Sequence, residues 1–118
     1  MWCHFGGRVQ FGETIEAALR RHASENFTGV LIEIDRNPQP TCVFPWFPDH
    51  AAPSDGTAFG RDPRKHAIGL GFVLSCTGEP TAIGGGESKT IDFFAKSDLP
   101  NGMWPGADKF LAGLLAGY

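Results

Sequence analysis

Gly6-Gly7-Arg8-Val9-Gln10-Phe11-Gly12-Glu13-Thr14-Ile15-Glu16-Ala17-Ala18-Leu19-Arg20-Arg21-His22-Ala23-Ser24-Glu25-Asn26-Phe27-Thr28-Gly29-Val30 reads as a glycine loop feeding an amphipathic helix. Gly6 and Gly7 let the backbone approach a neighbour with no Cβ in the way. Gly12-Glu13-Thr14 supplies the small and acidic residues that exposed N–H groups favour at a helix start. Gly29 is the expected end of the helix. Ile15, Ala18, Leu19 and His22 recur at i, i+3, i+4 and i+7, the rhythm of a buried stripe. At 100° per residue, Glu25 and Asn26 fall within about 60° of His22, so the stripe starts apolar and finishes polar. Two readings fit such a face: a cation or phosphate bound at the polar end, or a helix emerging there into solvent.

These residues resemble the Nudix box, G-x5-E-x7-R-E-U-x-E-E-x-G-U, where U is a bulky aliphatic. Gly7, Glu13 and Arg21 stand on its anchor positions at full spacing. The resemblance implies an α/β fold, a Nudix-like α/β/α sandwich with a mixed sheet, over one domain from 1 to 118. In the family, glutamates after the arginine and a glycine-loop carbonyl hold Mg²⁺ or Mn²⁺. Here those positions read His22, Glu25 and Asn26, and the closing glycine comes one residue late, at Gly29. The implied metal site is therefore Gly7, His22, Glu25 and Asn26, holding one weakly bound ion, since a hard cation prefers oxygen ligands. The wording Gly-Gly-Arg-Val-Gln-x-x-Glu-Thr-x-Glu-Ala-Ala is most similar to the GDP-mannose mannosyl hydrolase branch, which works with one metal ion on a nucleotide sugar. Its catalytic histidine precedes a late strand; Lys89 stands nearest to that place.

Around the box, the chain departs from the family and also follows it. The family's N-terminal strands are missing ahead of Gly6, so the expectation is a homodimer that completes the sheet. Trp2-Cys3-His4-Phe5 reads as a strand end entering the loop. Val30 to Ile34 has strand composition, with Val30, Ile32 and Ile34 on one face. Thr41 to Phe47 reads as a strand that Pro45 places at an edge or bulge, and its aromatics Phe44, Trp46 and Phe47 serve either as core or as a base-stacking wall. Residues 48 to 65 form a long loop with His50, Asp49, Asp55, Asp62 and Arg64 as site candidates. His66 to Cys76 reads as one central strand buried on both faces, where Gly69 and Gly71 make room for the box helix or a ligand. The phrase His-x-x-x-Leu-Gly-Phe resembles the mannosyl hydrolase branch and makes His66 a site candidate beside a structural role. Gly78 to Lys89 reads as a loop, and Thr90 to Pro100 resembles the family's late strand and Trp-Phe-x-x-x-x-Leu-Pro segment. Trp104 to Leu115 reads as a final helix on an outer layer, with Pro105 in its first turn.

With 118 residues and a formal charge of −3, the chain gives no reason to invoke nucleic acid or an anionic membrane. No apolar run approaches the roughly 20 residues needed to span a bilayer. Three scattered cysteines without C-x-x-C spacing point to a reducing cytoplasm. Two functions of different class follow. One is a Nudix-type hydrolase of a nucleoside diphosphate linked to another group, a nucleotide sugar first, with catalytic candidates Glu25, His66 and Lys89 and with Arg8 and Arg21 meeting phosphate. The other is a catalytically impaired Nudix-like binding or interaction protein. Glu13 and Arg21, eight apart, are expected to pair with each other inside the box.

Overall fold

The computed structural model describes residues 4–83 and 93–118. Lys89, the Gly84-Gly85-Gly86 triplet and the start of the late strand at Thr90 lie outside the described residues. The elements run α1 (Ile15–Asn26), β1 (Phe27–Glu33), β2 (Cys42–Phe47), a 3-10 turn (Asp49–Ala51), β3 (Gly60–Arg61), β4 (Ala67–Gly71), β5 (Ser75–Ala82) and α2 (Ala107–Leu114). The chain is thus a mixture of helix and strand with both parallel and antiparallel pairing. None of the described helices is long and apolar enough to cross a membrane. The chain gathers into two compact units, one built on α1, β1 and β5, the other on β2, β3, β4 and α2.

In the first unit, Thr14 caps α1 by accepting the Ala17 N–H at 3.1 Å. The helix buries Ala18, His22 and Asn26 and stops at Asn26, three residues before the glycine expected to end it. Phe27 is already extended, at φ −155 and ψ 161, and the Asn26 carbonyl accepts from Ile83 N–H at 3.0 Å. The β-forming run from Phe27 onward therefore captures the chain as soon as the helix releases it. β1 pairs antiparallel with β5 from Phe27 opposite Ala82 to Glu33 opposite Ser75, with a bulge between Thr28 and Val30. Gly29 is that bulge: φ is +83, and a Cβ there would lie 2.6 Å from the Glu79 carbonyl oxygen. Gly78 answers it at φ +97, where a Cβ would strike the Gly29 carbonyl oxygen. The stretch from Gly78 to Ala82 is consequently strand, not the loop its glycine content predicts. Val30 and Ile32 are half-buried between exposed neighbours, which is the alternation read from the sequence.

In the second unit β2 is the middle strand, parallel to β3 and antiparallel to β4. Pro45 sits in it without breaking the sheet because β3 covers only Trp46 and Phe47, so Pro45 has a partner strand on one side, at Ile68. Phe44 and Trp46 point to the face that α2 covers. Phe44, Phe110 and Leu114 form the buried core, with Trp46, Cys42 and Leu111 packed on it. The Phe44 and Phe110 rings meet edge to face at 5.7 Å. His4 lies against Phe110 at 4.3 Å, its Nδ1 is buried with no hydrogen-bond partner among the described residues, and burial pushes its pKa down. The expected strand from His66 to Cys76 divides after Gly71 into β4 and β5, which belong to different units. β4 is not central and not buried on both faces: among the described residues it pairs with β2 alone, and Ile68 and Leu70 are exposed. Its glycines make room for rings of this unit. A Cβ on Gly69 would stand 2.9 Å from Trp46 Nε1, and one on Gly71 3.0 Å from Phe110 and Leu114. α2 begins at Ala107, after Gly106 at φ +94, so Pro105 precedes the helix instead of joining its first turn.

Gly60 shows how tight this packing is, since a Cβ there would run into the Trp46 ring. Gly60→Ala should destabilise the protein by about 1–3 kcal/mol through overpacking in urea unfolding. Gly113→Ala, inside α2 with open space around it, should stabilise by about 0.5–1 kcal/mol through helix propensity. Equal effects of the two changes would contradict the assigned packing.

Candidate functional site

The glycine loop and α1 are joined by one guanidinium. Arg21 Nε donates to Glu13 Oε2 at 2.8 Å and Nη2 to Glu13 Oε1 at 3.1 Å, a two-pronged pair. Nη2 also donates to the Arg8 carbonyl at 2.7 Å, and Nη1 reaches Glu25 Oε1 at 3.2 Å. Glu13 in turn accepts the Gln10 N–H at 2.9 Å while its own N–H donates to the Gln10 carbonyl at 3.0 Å. This reciprocal pair, three residues apart, closes the turn from Gln10 to Glu13. This turn ends just before Thr14, the residue that caps α1.

His22 completes the clamp. Its Nε2 lies 3.0 Å from the Arg8 carbonyl oxygen and 3.2 Å from Arg21 Nη2; with the two Nη2 hydrogens directed at Arg8 and Glu13, the tautomer assigned is the one whose Nε2–H donates to the Arg8 carbonyl. Gly7 is required directly above it: a Cβ on residue 7 would sit 2.7 Å from the same nitrogen. Asn26 is buried, and its Nδ2 donates back to the His22 carbonyl at 2.6 Å. Arg20 binds Glu16 at 3.1 Å and the Ile34 carbonyl at 3.3 Å, which ties the outer side of α1 to the end of β1.

The electrostatics follow from these contacts. Hydrogen bonds from Arg21 first and the Gln10 N–H second hold the Glu13 carboxyl down at about 2, and the two carboxylates push the Arg21 guanidinium up. The Glu13 side chain is 12% exposed and Glu25 54%, so Glu13 is the inner, structural partner and Glu25 the outer one.

The sequence-derived site residues therefore separate. Gly7, Arg8, Arg21, His22, Glu25 and Asn26 belong to the first unit. Arg21 bonds the Arg8 carbonyl and Glu25, His22 bonds the Arg8 carbonyl and lies against Gly7, and Asn26 bonds the His22 carbonyl. His66 belongs to the second unit, where it stacks on Phe47 at 4.3 Å and 12°. Lys89 lies outside the described residues. In the loop from 48 to 65, Asp49 pairs with Arg61 at 3.0 Å, Asp55 accepts the Thr57 N–H and Asp62 accepts the Arg64 N–H, while His50 is exposed in the 3-10 turn. Trp104 Nε1 holds the Arg61 carbonyl at 2.7 Å, so this loop is stitched by pairs of its own unit. Asp49–Arg61 is a contact that sequence spacing alone does not reveal.

As a ligand set for a divalent cation these groups fit poorly. Glu25 is the one carboxylate at a ligand position and it rests on Arg21, and the His22 nitrogen facing the loop holds a carbonyl. Among the described residues no three His, Cys, Asp or Glu side chains gather as a metal site. The Arg8 backbone is pinned from two sides, and among the described residues its exposed guanidinium carries no hydrogen bond or ion pair.

In comparison with known proteins, a family profile described as a domain of unknown function, DUF4916, matches residues 3–94. No curated protein and no solved structure matches the chain.

The Glu13–Arg21 pair has a pH signature. Glu13 is held at about 2 in the folded chain against an ordinary 4.5, so its contribution is complete above 4.5 and is lost as pH falls toward 2. Thermal melts taken down through that window should show wild-type Tm dropping more steeply than that of Glu13→Gln, which starts lower. Parallel slopes would mean the pair is not formed.

Proposed function

The chain belongs to the DUF4916 family, and from that premise we propose that it is a Nudix-like α/β/α domain that binds the phosphates of a nucleotide-type ligand without hydrolysing them. The observation that carries this reading is the Arg8 loop: a backbone clamped by Arg21 and His22 presents one open guanidinium beside the glycine pair. A planar guanidinium matches phosphate oxygens in two-pronged fashion, and a loop already held in place loses little entropy on binding. The family's box geometry supports the scaffold, since Gly7, Glu13 and Arg21 make the contacts that would hold such a loop to its helix. The altered position His22 supports binding over catalysis, because its Nε2 lies against the Arg8 backbone carbonyl. Cys42 and Cys76 are free thiols, which supports a reducing, cytoplasmic setting.

A second reading rests on Glu25. Its carboxylate is half-exposed and held by longer contacts, at 3.2 and 3.5 Å, than Glu13. On that reading the protein is a hydrolase of a nucleoside diphosphate linked to another group, a nucleotide sugar first, with one Mg²⁺ or Mn²⁺.

Titration calorimetry with GDP and GDP-mannose, with and without Mg²⁺, and product analysis of the same samples separate the two. Binding without turnover is expected, weakened about 10- to 100-fold in Arg8→Ala, the cost of losing a hydrogen bond to a charged group. Metal-dependent nucleotide release that vanishes in Glu25→Gln would establish the hydrolase instead. Unchanged affinity in Arg8→Ala would overturn the assigned anion site.

A further inference from the structure

The sheet of the second unit has α2 on one face and an apolar ladder on the other. Across β2 and β4, Val43 stands opposite Leu70 and Pro45 opposite Ile68. Just beyond these pairs His66 stacks on Phe47. Val43 is 61% exposed, Ile68 59% and Leu70 45%. The ladder ends at β4, which among the described residues has a partner on one side only.

Free strand edges are ordinarily guarded by charge, proline, a bulge or brevity. The other edges described here are guarded in these ways. β1 carries Glu33 and the Gly29 bulge; β5 carries Glu79 and Pro80; β3 is two residues long and carries Arg61. β4 reads Ala-Ile-Gly-Leu-Gly, five residues with no charge, no proline and a regular register against β2.

We propose that β4 is a self-association edge, pairing antiparallel with β4 of a second copy of this chain. The sequence is self-complementary in that arrangement. A register centred on Gly69 sets Ile68 against Leu70 of the second copy, Ala67 against Gly71, His66 against Phe72 and Lys65 against Val73. No charge meets a like charge, and the three strands of each copy join into one continuous sheet. Ile68 and Leu70 from both copies then adjoin on the bare face, where an isolated edge leaves them in water. Pairing with a second copy closes both open edges at once in a two-fold dimer and leaves neither exposed, which is why the chain itself is the occupant assigned.

The test is the solution mass of the full chain by sedimentation equilibrium. Wild type is expected at twice its 12.7 kDa. Ile68→Lys and Leu70→Lys each replace both Ile68–Leu70 cross-strand pairs of the junction and should weaken self-association about tenfold, the loss of two apolar cross-strand pairs. Both side chains are exposed in the single chain, so circular dichroism and Tm should stay at wild-type values. Val43→Lys lies on the same face but one strand inward and should leave the dimer intact. A monomeric wild type at high micromolar concentration would overturn the proposal. So would a dimer that survives both β4 changes, or one that Val43→Lys alone dissolves, which would indicate packing through the face.

Discussion

Arg21 has three acceptors to satisfy at once, the Glu13 carboxylate, the Arg8 carbonyl and the Glu25 carboxylate, and the glycine loop takes its shape from that demand. A guanidinium can do this because its donors lie in one rigid plane and it stays protonated. Lysine would offer a point charge in the same place and could not hold a carboxylate with two prongs while gripping a carbonyl behind it. Among the described residues the loop pairs with no strand and buries none of its own side chains. Its order comes from Arg21, from the His22 nitrogen under Gly7, and from the reciprocal Gln10–Glu13 turn.

That dependence explains what the altered box positions do. A glutamate at position 22 would place a second carboxylate beneath the Arg8 carbonyl, and two acceptors facing each other repel. An imidazole N–H there closes the loop instead. Asn26 does the same for the helix end by donating to the His22 carbonyl just where Phe27 turns extended. The His22 ring nitrogen that faces the loop is thus used to hold the Arg8 carbonyl. The chemistry left at the surface is positive at Arg8 and negative at Glu25.

Much of this arrangement was legible in residue spacing. The loop-to-helix switch, a stripe that runs through Ala18 and His22 and turns polar, and the Glu13–Arg21 pairing all follow from a 3.6-residue period and opposite charges eight apart; the structure shows each of them and carries the buried stripe on to Asn26. Glycine and proline were the harder signals. Gly29 reads as a helix stop, yet it serves a bulge whose need arises only from Gly78 across the ladder. Gly69 and Gly71 read as space for a helix or ligand, and the space is taken by Trp46, Phe110 and Leu114. Pro45 reads as an edge, but the two-residue length of β3 lets it sit in the middle strand. In each case the deciding neighbour is distant in sequence, and a single chain carries no local trace of it. The use of His22 and Asn26 as donors was hidden for the same reason, because residue type tells that a group can bind a metal or a carbonyl and not which one it faces.

The central claim, that Arg21 organises the loop, is most directly tested by nitrogen-15 NMR of the arginine side chains. A guanidinium held at Nε and Nη2 by Glu13 and at Nη2 by the Arg8 carbonyl cannot rotate freely about its Cζ–Nε bond. The assigned Arg21 signals should therefore show a slowly exchanging Nε–H and separate Nη1 and Nη2 resonances, which merge in Glu13→Gln. A single averaged Nη resonance for Arg21 in the wild-type protein would contradict the account.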